Sequence, residues 1–325
     1  MIYEEFASDL PLEHSLEFTS AEECEEVLLS MDVNQPLRQL GPGKFRYRLT
    51  SRSFDQADLF ADRISTAVTL FLEPPAGTVG LLFPRTASGN FRASGIDTCN
   101  DTLIVLPGGS GTDIVVPGLA GSEAIAIPEE RFTELTETLC ATPKPVRLEG
   151  MTVIKGNTAQ LHSLRRAAVA LVANPELENA HEDLSNLISA TIDWIGHSSS
   201  GWRPEGLDGN AAPIRVAKLV QSHVEEHYRE IIRSEELCRL AGVSVRTLQR
   251  CFREYFDLSI TSYLNTVRLD AAHRELTAAH PQHVSVAEIA LRNGHSHLGR
   301  FSVHYRKRYG VSPKVTLALG NGKKW

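Results

Sequence analysis

Only five cysteines occur in 325 residues, and no two of them make a Cys-x-x-Cys pair. Cys24, Cys99, Cys140, Cys238 and Cys251 are scattered, which argues against both a zinc site and a disulfide framework. A reducing, cytoplasmic setting is the expectation. No histidine lies between His14 and His162, so the intervening stretch cannot supply the imidazoles of a His-ligated metal centre. No apolar run approaches the ~18 residues that would cross a bilayer. The opening MIYEEFASDLPLEHSLEF lacks a basic start and an apolar core, so it is not expected to act as a signal peptide. No Ser/His/Asp or Cys/His constellation appears, and neither an enzyme nor a resident cofactor or metal is expected.

What is present is an uneven charge. The chain carries a net −7 and is 42% hydrophobic, long enough for two cores. Residues 1–200 hold 14 Lys+Arg against 28 Asp+Glu, a net of −14, and residues 201–325 hold the other 19 and 12, a net of +7. Eight of the twelve histidines also lie in the second part. This division points to a nucleic-acid partner for the basic part alone.

The stretch GHSSSGWRPEGLDGNAAP, residues 196–213, has no apolar periodicity and reads as a linker over 198–212, with Pro213 opening the next helix. It separates a first domain, 1–197, from a second, 213–320. Residues 35–128 give short β-type runs cut by Gly and Pro, such as TVGLLFPRTASGN and TLIVLPGGSG, which suggest a small barrel or sandwich. Residues 129–197 turn helical, with Asn157 as a cap and apolar stripes at 161, 164, 168, 171 and 172 and at 184, 187, 188, 192 and 195. The fold class expected is α+β and multidomain: a β-barrel or sandwich with a ligand pocket, a helical segment whose apolar faces dimerise, and an all-α C-terminal domain.

The C-terminal part repeats. SEELCRLAGVSVRTLQRCFREYFDLS begins at 234, and SVAEIALRNGHSHLGRFSVHYRKRYGVS begins at 285. Leu237 and Gly242 correspond to Ile289 and Gly294 at an offset of 52; Leu248, Phe252 and Phe256 correspond to Phe301, Tyr305 and Tyr309 at 53. Each copy reads as a helix, a glycine turn, a Ser cap (Ser244, Ser296) and a basic second helix. These are two helix-turn-helix motifs, 234–255 and 285–308, joined by a helix over 260–279. Each second helix is suited to a major groove of double-stranded DNA. Arg246, Gln249 and Arg250 lie within about one turn of the first such helix, and Arg suits guanine while Gln suits adenine. Ser244, Thr247 and Arg253 complete the first DNA-facing set, with Arg253 placed for a phosphate. The second set is Ser296, His297, Arg300 and Lys307, while His304 is expected on the packed side.

These motifs, LCRLAGVSVRTLQRCFRE, SYLNTVRLDAAHREL, VAEIALRNG and FSVHYRKRYGVSP, resemble the DNA-binding domain of the AraC/XylS family of transcription regulators over residues 214–316. The resemblance implies seven helices and two adjacent major-groove contacts from one subunit, with Arg246, Gln249 and Arg250 as the base-facing residues of the first. It also implies an N-terminal cupin-like barrel that binds an effector, a homodimer, and an activator that meets RNA polymerase. Two positions depart from the family pattern: His295 stands where Phe is common, and Val303 where Arg is common. HLGRFS resembles a subgroup that includes the ethanolamine-utilisation regulator. LPGGSGTD, 106–113, looks like the second cupin half-motif with Asp113 in place of a histidine, which agrees with a barrel that is not a metal enzyme.

In KFRYRLTSR, Lys44, Arg46, Arg48 and Arg52 fall on even positions while Phe45, Tyr47 and Leu49 fall on odd ones. A strand puts these sets on opposite faces. The cationic face is either a surface neutralised by nearby acids or, through Arg46, Arg48 and Arg52, a site for a small anionic effector. Arg48 and Arg52 form the R-x-x-x-R spacing of PilZ-type receptors, which makes cyclic di-GMP one candidate, although the companion [D/N]-x-S-x-x-G is absent. Two rivals remain: a metal-independent barrel enzyme fused to a DNA-binding domain, and a constitutive dimeric regulator without a ligand.

Overall fold

A computed structural model describes residues 15–30, 33, 35–87, 89–139, 150–198 and 211–320. Residues 199–210 of the expected linker lie outside them. The described residues form two units, 15–38 with 45–198 and 39–44 with 211–320.

In the first unit the chain runs β1 (Ser15–Phe18), α1 (Ala21–Ser30), β2 (Leu37–Gln39), β3 (Tyr47–Ser53), β4 (Asp58–Ile64), β5 (Val68–Leu72) and β6 (Thr78–Thr86). It continues through β7 (Phe91–Ala93), β8 (Ile96–Thr98), β9 (Thr102–Pro107), β10 (Thr112–Val116) and β11 (Ala120–Pro128). Then come α2 (Glu129–Leu139), β12 (Thr152–Lys155), α3 (Thr158–Ala173) and α4 (Ala180–Ser198). Seven strands pair in the order β1-β3-β4-β11-β6-β9-β12, and five in the order β2-β5-β10-β7-β8. Among the described residues these are two sheets with separate edges, and no closed barrel forms. The 129–197 segment is also not wholly helical. Its TVIK run is β12, which adds to β9 with Thr152 opposite Val105.

Strand alternation sends side chains two ways. Tyr47, Ile64, Leu82 and Ile104 of the larger sheet meet Val68, Phe91, Ile114 and Val116 of the smaller one, with Cys24 and Leu28 of α1. Burial pushes the Cys24 thiol up to about 12, so it behaves as a small apolar group. The opposite face of the larger sheet carries Leu59, Ala61, Leu81, Phe83, Val105 and Ile125, and three helices cover it. The apolar stripes at Leu161, Leu164, Ala168, Leu171 and Val172 and at Leu184, Leu187, Ile188, Ile192 and Ile195 all belong to this core. Their expected role as a dimer face is therefore corrected, because the sheet already buries them. Asn157 caps α3 as expected, accepting from the amides of Ala159 and Gln160.

Among its described residues the second unit has seven helices: α5 (Ala211–His227), α6 (Ser234–Ala241), α7 (Val245–Phe256), α8 (Ile260–Ala278), α9 (Val286–Arg292), α10 (Leu298–Tyr309) and α11 (Pro313–Leu319). Side-chain caps start most of them. Ser259 accepts from the Ser262 amide, Ser285 and Glu288 form a reciprocal capping box, and Ser312 precedes Pro313 at the first turn of α11. Among the described residues no helix is long and apolar enough to cross a membrane.

Candidate nucleic-acid interface

The first motif is α6, a turn and α7. Gly242 closes α6 in the left-handed region, at φ +65, and Ser244 opens α7 by accepting from the Thr247 amide. The Thr247 hydroxyl also meets that of Ser244, at 3.0 Å. These two predicted DNA-facing residues thus build the helix start. Leu248, Cys251, Phe252, Tyr255 and Phe256 point inward, where Phe252 packs edge-on against Tyr263 of α8 at 5.4 Å. Arg246, Gln249, Arg250 and Arg253 are left on the exposed face, at spacings of three, four and seven from Arg246. Tyr263 donates to Glu225 at 2.5 Å and receives from Gln221 at 3.1 Å, which ties α8 to α5 behind the motif.

The second motif is α9, a turn and α10. Phe301 and Tyr305 are buried, while Arg300, His304 and Lys307 are exposed. His304 does not face the packed side as expected; it stands one turn from Arg300 on the outer face. The signal was present in the spacing of 300, 304 and 307. The cap expected at Ser296 is also displaced. His297 holds the N-cap position, with no side-chain cap bond, and Ser296 precedes it, exposed. The offset of 53 aligns Arg246, Gln249 and Arg250 with Gly299, Ser302 and Val303. None offers a base-reading donor, since the Ser302 hydroxyl returns to the Leu298 carbonyl at 3.1 Å and Val303 is 66% exposed and apolar.

A buried polar network sets the position of α10. Asp270 of α8 accepts from Arg308 Nη2 at 2.6 Å, Arg308 Nε at 3.0 Å and the Tyr309 hydroxyl at 2.8 Å. Burial works against the Arg308 charge, yet Asp270 more than offsets this and holds the guanidinium pKa above its usual range. The turn before α10 is fixed by Asn293, which donates to Glu275 at 2.6 Å. Arg292 pairs with the same carboxylate.

Of the predicted effector arginines, Arg46 is exposed, but Arg48 and Arg52 are not on an open face. Arg48 is only 7% exposed and donates to Glu17 of β1 at 2.6 Å. Arg52 reaches the end of α3, where Nη1 donates to the carbonyls of Leu171 and Asn174 and Nη2 to that of Pro175, each at 2.8 Å. β3 begins at Tyr47, so Lys44 and Arg46 of the strand expected over 44–53 precede it; alternation holds within it, and its even face, with Arg48 and Arg52, is the face that α3 covers. Asp113 lies on β10 opposite Phe71. Among the described residues no group of His, Cys, Asp or Glu could hold a metal.

A family model described as a helix-turn-helix domain matches residues 237–318. The chain is 33% identical over 168 residues to a probable thc operon regulatory protein of Rhodococcus erythropolis, covering 51% of this chain and 48% of that one. It thus spans about half the length of that relative. It is 31% identical over 122 residues to the XylDLEGF operon transcriptional activator 2 of Pseudomonas putida, covering 38% of this chain and 75% of that one. Among solved structures, a probable AraC family transcriptional regulator from Rhodopseudomonas palustris CGA009 is 32% identical, with a TM-score of 0.30, over 32% of this chain and 94% of the other.

Proposed function

The chain belongs to the AraC/XylS family of transcription regulators, and from that premise we propose that its C-terminal unit binds a specific double-stranded DNA site and activates transcription there. The observation that carries this reading is the exposed row of Arg246, Gln249 and Arg250 on a capped helix whose other face is core. The two motifs then divide the work unequally. The first reads base edges through hydrogen bonds, and the second holds backbone phosphate through Arg300, His304 and Lys307. The matched relatives are regulators, which favours this reading over a barrel enzyme. A homodimer, a contact with RNA polymerase and control by a small effector in the β-rich unit belong to the same proposal. The acidic balance of residues 1–200 supports keeping DNA to the other unit.

The test is site selection from a random DNA pool, followed by binding of variants to every single-base change. Arg250→Ala should lose ~1–3 kcal/mol at one base pair and relax specificity there. Arg253→Ala should weaken all sequences evenly and flatten the salt dependence. The selected site should show one strict block and one permissive block. Equal losses on all sequences from both variants would refute base reading by Arg250, and two equally strict blocks would refute the division between the motifs.

A further inference from the structure

The outward side of α10 has an apolar centre. Phe301, Tyr305 and Arg308 are buried on one side of this helix. At about 3.6 residues per turn, the side directly opposite is centred on Val303, with Gly299 one turn before it. Lys307 follows one turn after, and Arg300 and Arg306 stand three residues to either side. All five are exposed. A strip without a polar side-chain atom therefore runs between cations.

Nothing in the fold asks for this strip. Val303 is 66% exposed, and a β-branched residue is a weak helix former, so neither packing nor helix propensity selects it. At Gly299 an added Cβ would meet nothing within 4 Å, and its φ is not in the left-handed region. An alanine would fit there and make a better helix. The repeat places Gly299 and Val303 where the first motif presents Arg246 and Arg250, the side chains proposed to read bases. In a major groove the apolar group on a base edge is the 5-methyl of thymine; the other groups are hydrogen-bond donors and acceptors. A valine reaches less far than an arginine, so the helix must lie closer to the bases. A residue without a side chain one turn earlier permits that approach. The cations on both flanks then meet phosphates at the sides of the groove.

We propose that Val303 and Gly299 recognise a thymine in the DNA under the second motif by its 5-methyl group: Val303 covers the methyl, and Gly299 lets α10 come close enough for it to do so. The assignment rests on the reading of the C-terminal unit as a DNA-binding unit. It adds one modest base preference to a block that Arg300, His304 and Lys307 otherwise hold through phosphate.

The test uses the full chain and the site selected from the random pool, with each thymidine of the permissive block replaced in turn by deoxyuridine, which lacks only the methyl. At one position the replacement should weaken binding about fourfold, the worth of one buried methyl group. 5-Methyldeoxycytidine at that position should bind better than deoxycytidine by a similar factor. Val303→Ser should bind thymidine and deoxyuridine alike there, with an unchanged melting temperature because the side chain is exposed. Gly299→Ala should also reduce the preference while melting no lower than the wild-type protein; a preference unchanged in this variant would remove Gly299 from the contact. A permissive block with no preferred thymidine, or one in which deoxyuridine serves as well everywhere, would overturn the proposal and leave the DNA reading intact. So would a preference that survives Val303→Ser. A chain that selects no DNA site would refute the DNA reading itself, and this proposal with it.

Discussion

His295 lies against Phe301, ring centroids 4.7 Å apart, with its Nε2 buried and without a hydrogen-bond partner. Burial, then the charge of Arg268, holds its pKa down to about 4 from 6.5. The unfolded chain takes up this proton first as pH falls. Stability is therefore full above about pH 6.5 and declines toward pH 4, by at most ~1.4 kcal/mol per pH unit for one such group. His273 is also held at about 4 by burial and acts in the same direction. His295→Phe removes the unpaired nitrogen and keeps a ring beside Phe301. It should gain ~1 kcal/mol at neutral pH, with a shallower acid decline, in urea titrations at pH 7 and pH 5. Arg52→Ala should lose ~1–3 kcal/mol, since three carbonyls at the end of α3 lose one shared donor; Arg52→Lys should restore only part. Faster amide exchange at the end of α3 would accompany the loss. The sequence marked both residues as unusual. Period-two alternation placed Arg52 on its face, but no local pattern tells what covers that face, and here the cover comes from more than a hundred residues away.

The repeat made both helix-turn-helix elements legible because a glycine turn and an apolar spacing recur together. Its two offsets, 52 up to the glycine and 53 after it, also hold the reason for the misplaced cap. One extra residue separates Gly294 from its helix, so the helix starts after His297 rather than after Ser296. The two turns differ in tolerance as well. Gly294 has φ +81, and a Cβ there would meet Arg268 Nε at 2.7 Å and the Tyr228 carbonyl oxygen at 3.0 Å. Gly242, at φ +65, has nothing within 4 Å. Both alanine variants incur left-handed strain of ~1 kcal/mol, and Gly294→Ala adds a steric conflict with backbone, for ~2–4 kcal/mol in all. Paired thermal melts should rank them in that order. The two sheets were less legible. Short strands announce themselves by Gly and Pro punctuation, but strand order and the separate edges depend on pairings distant in sequence.

At the scale of the whole molecule, the net of −14 in residues 1–200 against +7 in residues 201–325 separates two kinds of surface along one chain. A fragment of residues 211–320 should bind DNA on its own, with log affinity falling linearly in log salt, while the full chain keeps the same slope at lower non-specific affinity. Filter binding between about 50 and 200 mM salt would compare them; a steeper slope for the full chain would contradict the division. The partners of Arg52 carry a different consequence, one of timing. They lie 119 to 123 residues further along the chain. Contacts of such separation form only after a large loop has closed. In synthesis from the N-terminus, β3 emerges long before the carbonyls its guanidinium will hold. The pairing of β3 with β1 and β4 can form while that donor still faces water, and the last turn of α3 is held only when the helix docks. The end of α3 thus waits on a strand laid down far earlier in the chain.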